Sequence, residues 1–268
     1  MFCSYPADAG EDAPAVLKDW LREIAAMPPG PVQISGGEPL LAGTDNLCLL
    51  LAAVKKLGRK AELQTNAIAA AALPAAELAR LAKALNAAGG YFNVNFPSHC
   101  PAVDARITGS KDNFAKRERG VRRLLEAGAQ VRITHVVNSL NYRFIPGFIV
   151  YVDRRLAGAA WVQFSFAKAA GRALLRPGIV PSYRQASGPL RKGLRKASSL
   201  GIKCEVDHIP VCFIRDYWTC HVDVRKLLGR KPGPHQFEKQ KTAKCAGCSF
   251  SRVCAGPRLD YLALGKTF

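Results

Sequence analysis

The sequence has no apolar run as long as the roughly 18–20 residues of a bilayer-spanning helix, which sets aside a membrane protein. Its opening residues lack the basic start and apolar stretch of a secretion signal, so the expected compartment is the cytoplasm, where thiols stay reduced. Histidine is scarce: His99, His135, His208, His221 and His235 are scattered, and no two have metal-ligand spacing. Neither a G-x-S-x-G elbow nor a G-x-x-x-x-G-K-S/T phosphate loop occurs, so two familiar catalytic signatures are absent. Acidic residues are few, 20 against 39 Lys and Arg, for a net charge of +19. Residues 168–268 hold 20 of the basic and 6 of the acidic residues, a local surplus of 14. Runs such as RKGLRK and LLGRKPG suit an acidic partner, or simply a solvated basic face. No aromatic residues interleave with them to stack bases, so nucleic acid is not the expected partner.

What is present is a globular composition, 49% apolar and 22% charged, long enough for one sizeable core and a small second unit. The pattern alternates strand and helix. Short apolar runs at PVQIS (31–35), AELQT, YFNVNF, QVRITHVV and AAWVQFSF read as buried strands. Between them lie helical periods, from APAVLKDWLREIAAM through AAELARLAKALNAAGG to a helix over about 182–200. Thr44 or Asp45 is the expected N-cap of the helix after the first strand, and Gly58 its stop. Strands joined by helices of this length predict parallel crossovers, hence an α/β sheet or barrel with ligands at the carboxyl ends of its strands. That rule selects Ser35 to Glu38, Thr65–Asn66, Asn95 to Ser98, Asn138 and Phe164 to Lys168 as the rim. His99 is the histidine nearest to it. From about residue 204 the alternation stops and cysteines crowd, which predicts a domain boundary: 1–203 and 204–268.

Two patterns carry chemistry. SGGEP (35–39) closes a strand with two glycines, which free the backbone to approach a ligand, followed by a carboxylate that suits an ammonium group. CAGCSFSRVC (245–254) is a C-x2-C-x5-C array, and Cys212 in the strand-like run IPVCF is the expected fourth thiolate. Cys204 and Cys220 compete with it. Four thiolates suit either zinc or an iron–sulfur cluster, and spacing does not separate the two. Cys48 reads as a core residue, and Cys100 as core or loop. No general acid or base stands out.

In order along the chain, ISGGEPLL, LQTNA, NVNFPSHCPAVDARITGS, VRITHVVNSLN and KCAGCSFSRVCAGPRLDYL resemble the radical S-adenosylmethionine enzymes. The resemblance covers nearly the whole chain. It implies an oxidoreductase-like partial parallel (β/α)6-type barrel lacking its first strand, followed by a small cysteine-rich C-terminal domain. In that family a C-x3-C-x-aromatic-C loop holds a [4Fe–4S] cluster through three thiolates. The fourth iron chelates S-adenosylmethionine, whose reductive cleavage gives a 5′-deoxyadenosyl radical that abstracts hydrogen from substrate. The resemblance implies that Gly36, Gly37 and Glu38, with Pro39, hold the methionyl amino group. Thr65 with Asn66, Asn95 and Asn138 would touch the carboxylate or ribose, and Phe164 to Ala167, including Phe166, would lie near the adenine. Phe2 and Cys3 match the end of the cluster motif, so two further cysteines and the first strand are expected upstream of Met1. With Cys3 alone the chain is expected to leave that cluster incomplete and to be inactive by itself. Cys212, Cys245, Cys248 and Cys254 would hold an auxiliary [4Fe–4S] cluster of the twitch or SPASM kind. The implied partners are a flavodoxin- or ferredoxin-like electron donor and a peptide or small-molecule substrate, with no membrane. The rival expectation is a non-catalytic, metal-containing binding module that keeps the fold and docks an acidic partner.

Overall fold

The computed structural model describes residues 17–229 and 237–266. Six parallel strands lie side by side in chain order: β1 (Val32–Ile34), β2 (Ala61–Thr65), β3 (Tyr91–Asn95), β4 (Val131–Val137), β5 (Trp161–Phe166) and β6 (Cys204–Asp207). Helix α1 (Leu17–Ala26) precedes β1. The crossovers carry α2 (Thr44–Lys56), α3 (Ala75–Ala87), α4 (Pro101–Thr108), α5 (Asn113–Glu126), α6 (Ile145–Arg155) and α7 (Tyr183–Ser199). Short helices α8 (Val222–Leu228) and α9 (Leu259–Ala263) follow β6. The result is the expected α/β architecture, a partial parallel barrel. The first four residues of the expected C-terminal unit form β6, hydrogen-bonded to β5. No described helix is long and apolar enough to cross a membrane.

Side chains alternate across each strand, and the strand register sorts them into two rows. Leu63, Phe92, Val94, Ile133, Val162, Phe164, Phe166 and Val206 form the outer row and are buried. They meet the apolar stripes of the helices, such as Leu51 and Val54 of α2, Leu81 and Leu85 of α3, and Phe148 and Ile149 of α6. His135 belongs to this row. It lies against the Phe148 ring, with Nδ1 3.1 Å from the Phe96 carbonyl oxygen, and burial depresses its pKa to about 4. It is a neutral core histidine.

Local signals set the ends of the elements. Ser182 and Gln185 form a capping box at the start of α7. Gly58, at φ +65°, closes α2, with its N–H donated to the Lys55 carbonyl. The expected cap at Thr44 or Asp45 is corrected. Gly43 occupies the N-cap position and no side chain caps α2, because the Thr44 hydroxyl donates instead to Glu77 of α3 at 2.7 Å.

Helix α5 comes unusually close to the turn after β2. A Cβ on Gly120 would lie 1.9 Å from the Ala67 carbonyl oxygen, so only glycine fits there. We expect Gly120→Ala to force the helix and that turn apart and to cost about 2–3 kcal/mol, read as a lowered urea midpoint.

Candidate functional site

The Glu38 carboxylate ties two strand ends together. Its Oε1 accepts from the Thr65 hydroxyl at 2.5 Å and from the Leu40 N–H at 3.3 Å, and its Oε2 accepts from the Asn66 N–H at 2.8 Å. Thr65 Oγ1 in turn accepts from the Ala67 N–H, and Asn66 Oδ1 from the Ile68 N–H. Ala67 is held at φ +59°, a left-handed conformation costing a side-chain residue about 1 kcal/mol. Gly36 and Gly37 precede Glu38 at φ +89° and +48°, exposed, with open space where their Cβ atoms would be. Backbone N–H and C=O groups are thus presented at the mouth of the sheet, beside a fixed carboxylate.

Below this rim the inner row is polar. Arg132 donates to Glu62 at 2.7 Å, Tyr91 donates its hydroxyl to Glu62 at 2.5 Å, and Asn93 donates to the same carboxylate at 2.7 Å. The Arg132 guanidinium also stacks on Tyr91. One step nearer the mouth, Thr134 donates to Asn93 Oδ1 at 2.5 Å, and Asn95 is exposed. Burial alone would raise the Glu62 pKa, but Arg132 and the hydrogen bonds from Tyr91, Asn93 and Gln64 hold it below the usual carboxylate range. This row was missing from the expected site, although the period-two placement of Glu62 and Gln64, Asn93 and Asn95, Arg132 and Thr134, and Gln163 and Ser165 is its signature.

The mouth of β5 and β6 adds a second charged group. Ser165 Oγ lies 3.2 Å from His208 Nδ1, and His208 sits at φ +66° directly after β6. Buried Lys239 bridges Asp207 of β6, at 3.5 Å, and Asp223 of α8. Burial raises the Asp207 pKa, yet His208, Lys239 and His221 outweigh it and keep the carboxyl well below its ordinary range. Further out, Lys168, Glu238, Arg258 and Asp260 link in turn, and Asp260 accepts the Ala169 N–H at 2.6 Å. These contacts clasp the C-terminal segment to the strand ends of the sheet.

Cysteine geometry follows from two turns. Cys245 to Cys248 form a type II turn. Ala246 is at φ −62°, ψ +129°, Gly247 is at φ +73°, and the Cys248 N–H donates to the Cys245 carbonyl. Residues 238–240 and 256–259 pair as a short antiparallel ladder, in which a Cβ at Gly256 would meet the Gln240 carbonyl oxygen at 2.5 Å. As a result Cys212, Cys245, Cys248 and Cys254 line one small cavity, with Lys241 and Lys244 at its edge. Burial, then the charges of Cys254, Cys248 and Cys245, push the Cys212 thiol up to about 11. Cys254 Sγ accepts the Gly256 N–H at 3.4 Å, a bond of the kind that tunes metal thiolates. Among the described residues no three Cys, His, Asp or Glu side chains converge closely enough to hold a metal ion.

The structure therefore brings Gly36, Gly37, Glu38, Thr65 and Asn66 together, and separately the four cysteines. Thr65 is buried on the outer row, where its hydroxyl serves Glu38. Asn138 is not presented to the rim: its Nδ2 donates to the Val136 carbonyl and its Oδ1 accepts from Leu140 N–H, inside the loop after β4. The Phe164 and Phe166 rings face the helices, against His135 and Tyr183, while Ser165 between them faces inward. Pro39 is buried behind the rim. Cys212 lies in a 3-10 turn after Pro210, not at the end of a strand, since the proline supplies no N–H to a ladder. Cys204 belongs to the outer row, beside Cys220, and burial lifts its thiol to about 12. Cys48 packs against the core. Phe2, Cys3 and His235 lie outside the described residues.

No protein-family model matches this chain, and no curated protein does. Solved structures do. Native anSMEcpe with bound AdoMet and Cp18Cys peptide is similar over 89% of this chain and 78% of that one, at 14% identity and a TM-score of 0.62. Streptococcus suis SuiB bound to precursor peptide SuiA aligns over 76% of this chain and 45% of its own, at 15% identity and 0.56. HydG, a maturase of the [FeFe]-hydrogenase, aligns over 82% and 50%, at 11% identity and 0.56. The chain spans about half the length of SuiB and HydG. At these identities the likeness establishes the fold, the partial barrel of radical S-adenosylmethionine enzymes.

We expect Lys239→Met to strand two buried carboxylates and cost about 3–5 kcal/mol at neutral pH. Against the parent, the deficit should shrink as the pH falls and the depressed Asp207 carboxyl protonates, read from chemical denaturation across pH. Gly247→Val should strain the type II turn, lowering the iron or zinc retained after metal loading while leaving the far-ultraviolet spectrum unchanged.

Proposed function

We propose that this chain carries the barrel and auxiliary metal unit of a radical S-adenosylmethionine enzyme, in which the strand ends of the sheet, β6 included, hold the cofactor face and the segment after β6 holds the second centre. The carrying observation is the rim built by Gly36, Gly37 and Glu38 against Thr65 and Asn66, on a fold shared with a solved chain that binds AdoMet. In this reading the exposed Gly36–Gly37 backbone receives the methionyl ammonium and carboxylate groups. Glu38 sets the geometry of that loop, and Asn95 faces the ligand from β3. Bound there, the cluster and S-adenosylmethionine would supply one-electron cleavage to a hydrogen-abstracting radical, with an external flavodoxin- or ferredoxin-type donor. The polar inner row below keeps ordered donors and acceptors facing that chemistry.

The four cysteines fit a tetrathiolate iron–sulfur centre. All four line one cavity, and Lys241 and Lys244 at its edge offset the negative charge of such a centre. Peptide-bound solved relatives of the fold, SuiB with SuiA and anSMEcpe with Cp18Cys, favour a peptide as substrate.

The test is anaerobic reconstitution with iron and sulfide, followed by iron counting, EPR and calorimetric titration with S-adenosylmethionine. About four irons per chain, lost on Cys245→Ser with Cys248→Ser, and cofactor binding weakened by Glu38→Ala are the expected results. About eight irons and an EPR signal shifted by the cofactor would show a completed first cluster. Zinc without iron, or no cofactor binding by the parent chain, would overturn the reading.

A further inference from the structure

A cleft of about 420 Å³ opens on the strand-end face of the sheet, lined by Arg106 of α4, Ser139 and Leu140 after β4, and Arg176, Gly178 and Ile179 after β5. Its volume falls in the range of small-ligand sites. The Ser139 N–H donates to the Ile179 carbonyl at 2.9 Å, so the two walls are joined at the base. Arg106 and Arg176 are both exposed, and neither has an acidic partner among the described residues. Some other arginines find carboxylates, as Arg117 does with Asp104, Arg132 with Glu62, Arg191 with Asp216 and Arg225 with Glu205, whereas Arg119 and Arg122, like the cleft pair, find none among the described residues. Two guanidinium groups lining one cleft suit an anion that offers two acceptor oxygens.

The surroundings narrow the anion. No Asp or Glu occurs between Ala169 and Cys204, a stretch that includes Arg172, Arg176 and the basic face of α7. On that stretch Leu174 is 60% and Leu175 75% exposed, apolar surface that directly precedes the cleft residue Arg176 in the chain. Leu140 and Ile179 add apolar lining, and no aromatic ring lines the cleft to stack a nucleobase. We propose that this cleft is a docking subsite for an acidic peptide, with Arg106 and Arg176 gripping a side-chain or terminal carboxylate while Leu174 and Leu175 cover neighbouring apolar residues. The inference rests on the reading above only in placing the peptide next to the cofactor face. Binding itself needs no iron, so its failure and the failure of cofactor binding are separate results.

The test is fluorescence anisotropy of the 268-residue chain with a labelled peptide of alternating Glu and Leu, set against its Gln counterpart and a single-stranded oligonucleotide of equal charge. Arg106→Gln with Arg176→Gln should weaken the acidic peptide by about tenfold or more. The charge-matched pair Arg119→Gln with Arg122→Gln, on the exposed face of α5, should change it by less than about twofold. Thermal melts check that both doubles fold. Equal losses in the two doubles, a Gln peptide that binds as well, or an oligonucleotide that binds more tightly and depends on the same arginines would each overturn the proposal. So would a parent chain that binds no acidic peptide.

Discussion

The Glu62 carboxylate, gripped by Arg132 and capped by Tyr91 and Asn93, is the constraint on which the inner face of this sheet depends. A parallel sheet covered by helices on its outer face can bury apolar side chains there without difficulty. Its inner face holds an acid, a base and several amides, and each must find a partner because an unpaired buried polar group costs about 1–3 kcal/mol. Glu62 reaches across β3 to Arg132 on β4 and so links three strands by side chains as well as by backbone. Above that cross-linked floor, in which only Arg132 Nε of the guanidinium lacks a partner, Asn95, Ser165 and the Gly36–Gly37 backbone can face the mouth, where a ligand would meet them.

At the mouth two carboxylate clusters play the same physical part. Glu38 joins the first loop to the end of β2, and the buried Asp207–Lys239–Asp223 group joins β6 to the C-terminal segment. Each spans elements distant in sequence, and each depends on a local backbone device. For Glu38 these are the positive φ angles of Gly36, Gly37 and Ala67. For Lys239 it is the ladder between residues 238–240 and 256–259, which also carries Cys254 toward Cys212. The cysteine cavity and the end of β6 therefore share one scaffold, the ladder that holds Lys239 and leads to Cys254.

Much of the fold was legible because its signals are local. Short apolar runs marked the strands, helical stripes such as Leu47, Leu50, Leu51 and Val54 marked the crossovers, and a helical period over about 182–200 marked α7. Where a local signal met a tertiary competitor, it lost. Thr44 has a capping side chain, but Glu77 of α3 takes its hydroxyl. Phe164, Phe166 and Asn138 occupy the expected strand ends, yet alternation turns the rings toward the helices and the loop after β4 uses the amide for its own turn.

By itself the sequence determined the α/β alternation, the glycine–acid loop after β1 and the grouping of Cys245, Cys248 and Cys254, since each is a matter of spacing within a few residues. Only the tertiary structure decided that Cys212 rather than Cys204 faces that array, that Glu38 grips Thr65 and Asn66, and that Arg106 and Arg176 share a cleft. Those outcomes depend on which strands are neighbours and which face each side chain takes. The folding of distant segments onto one sheet sets both, and no local pattern encodes them.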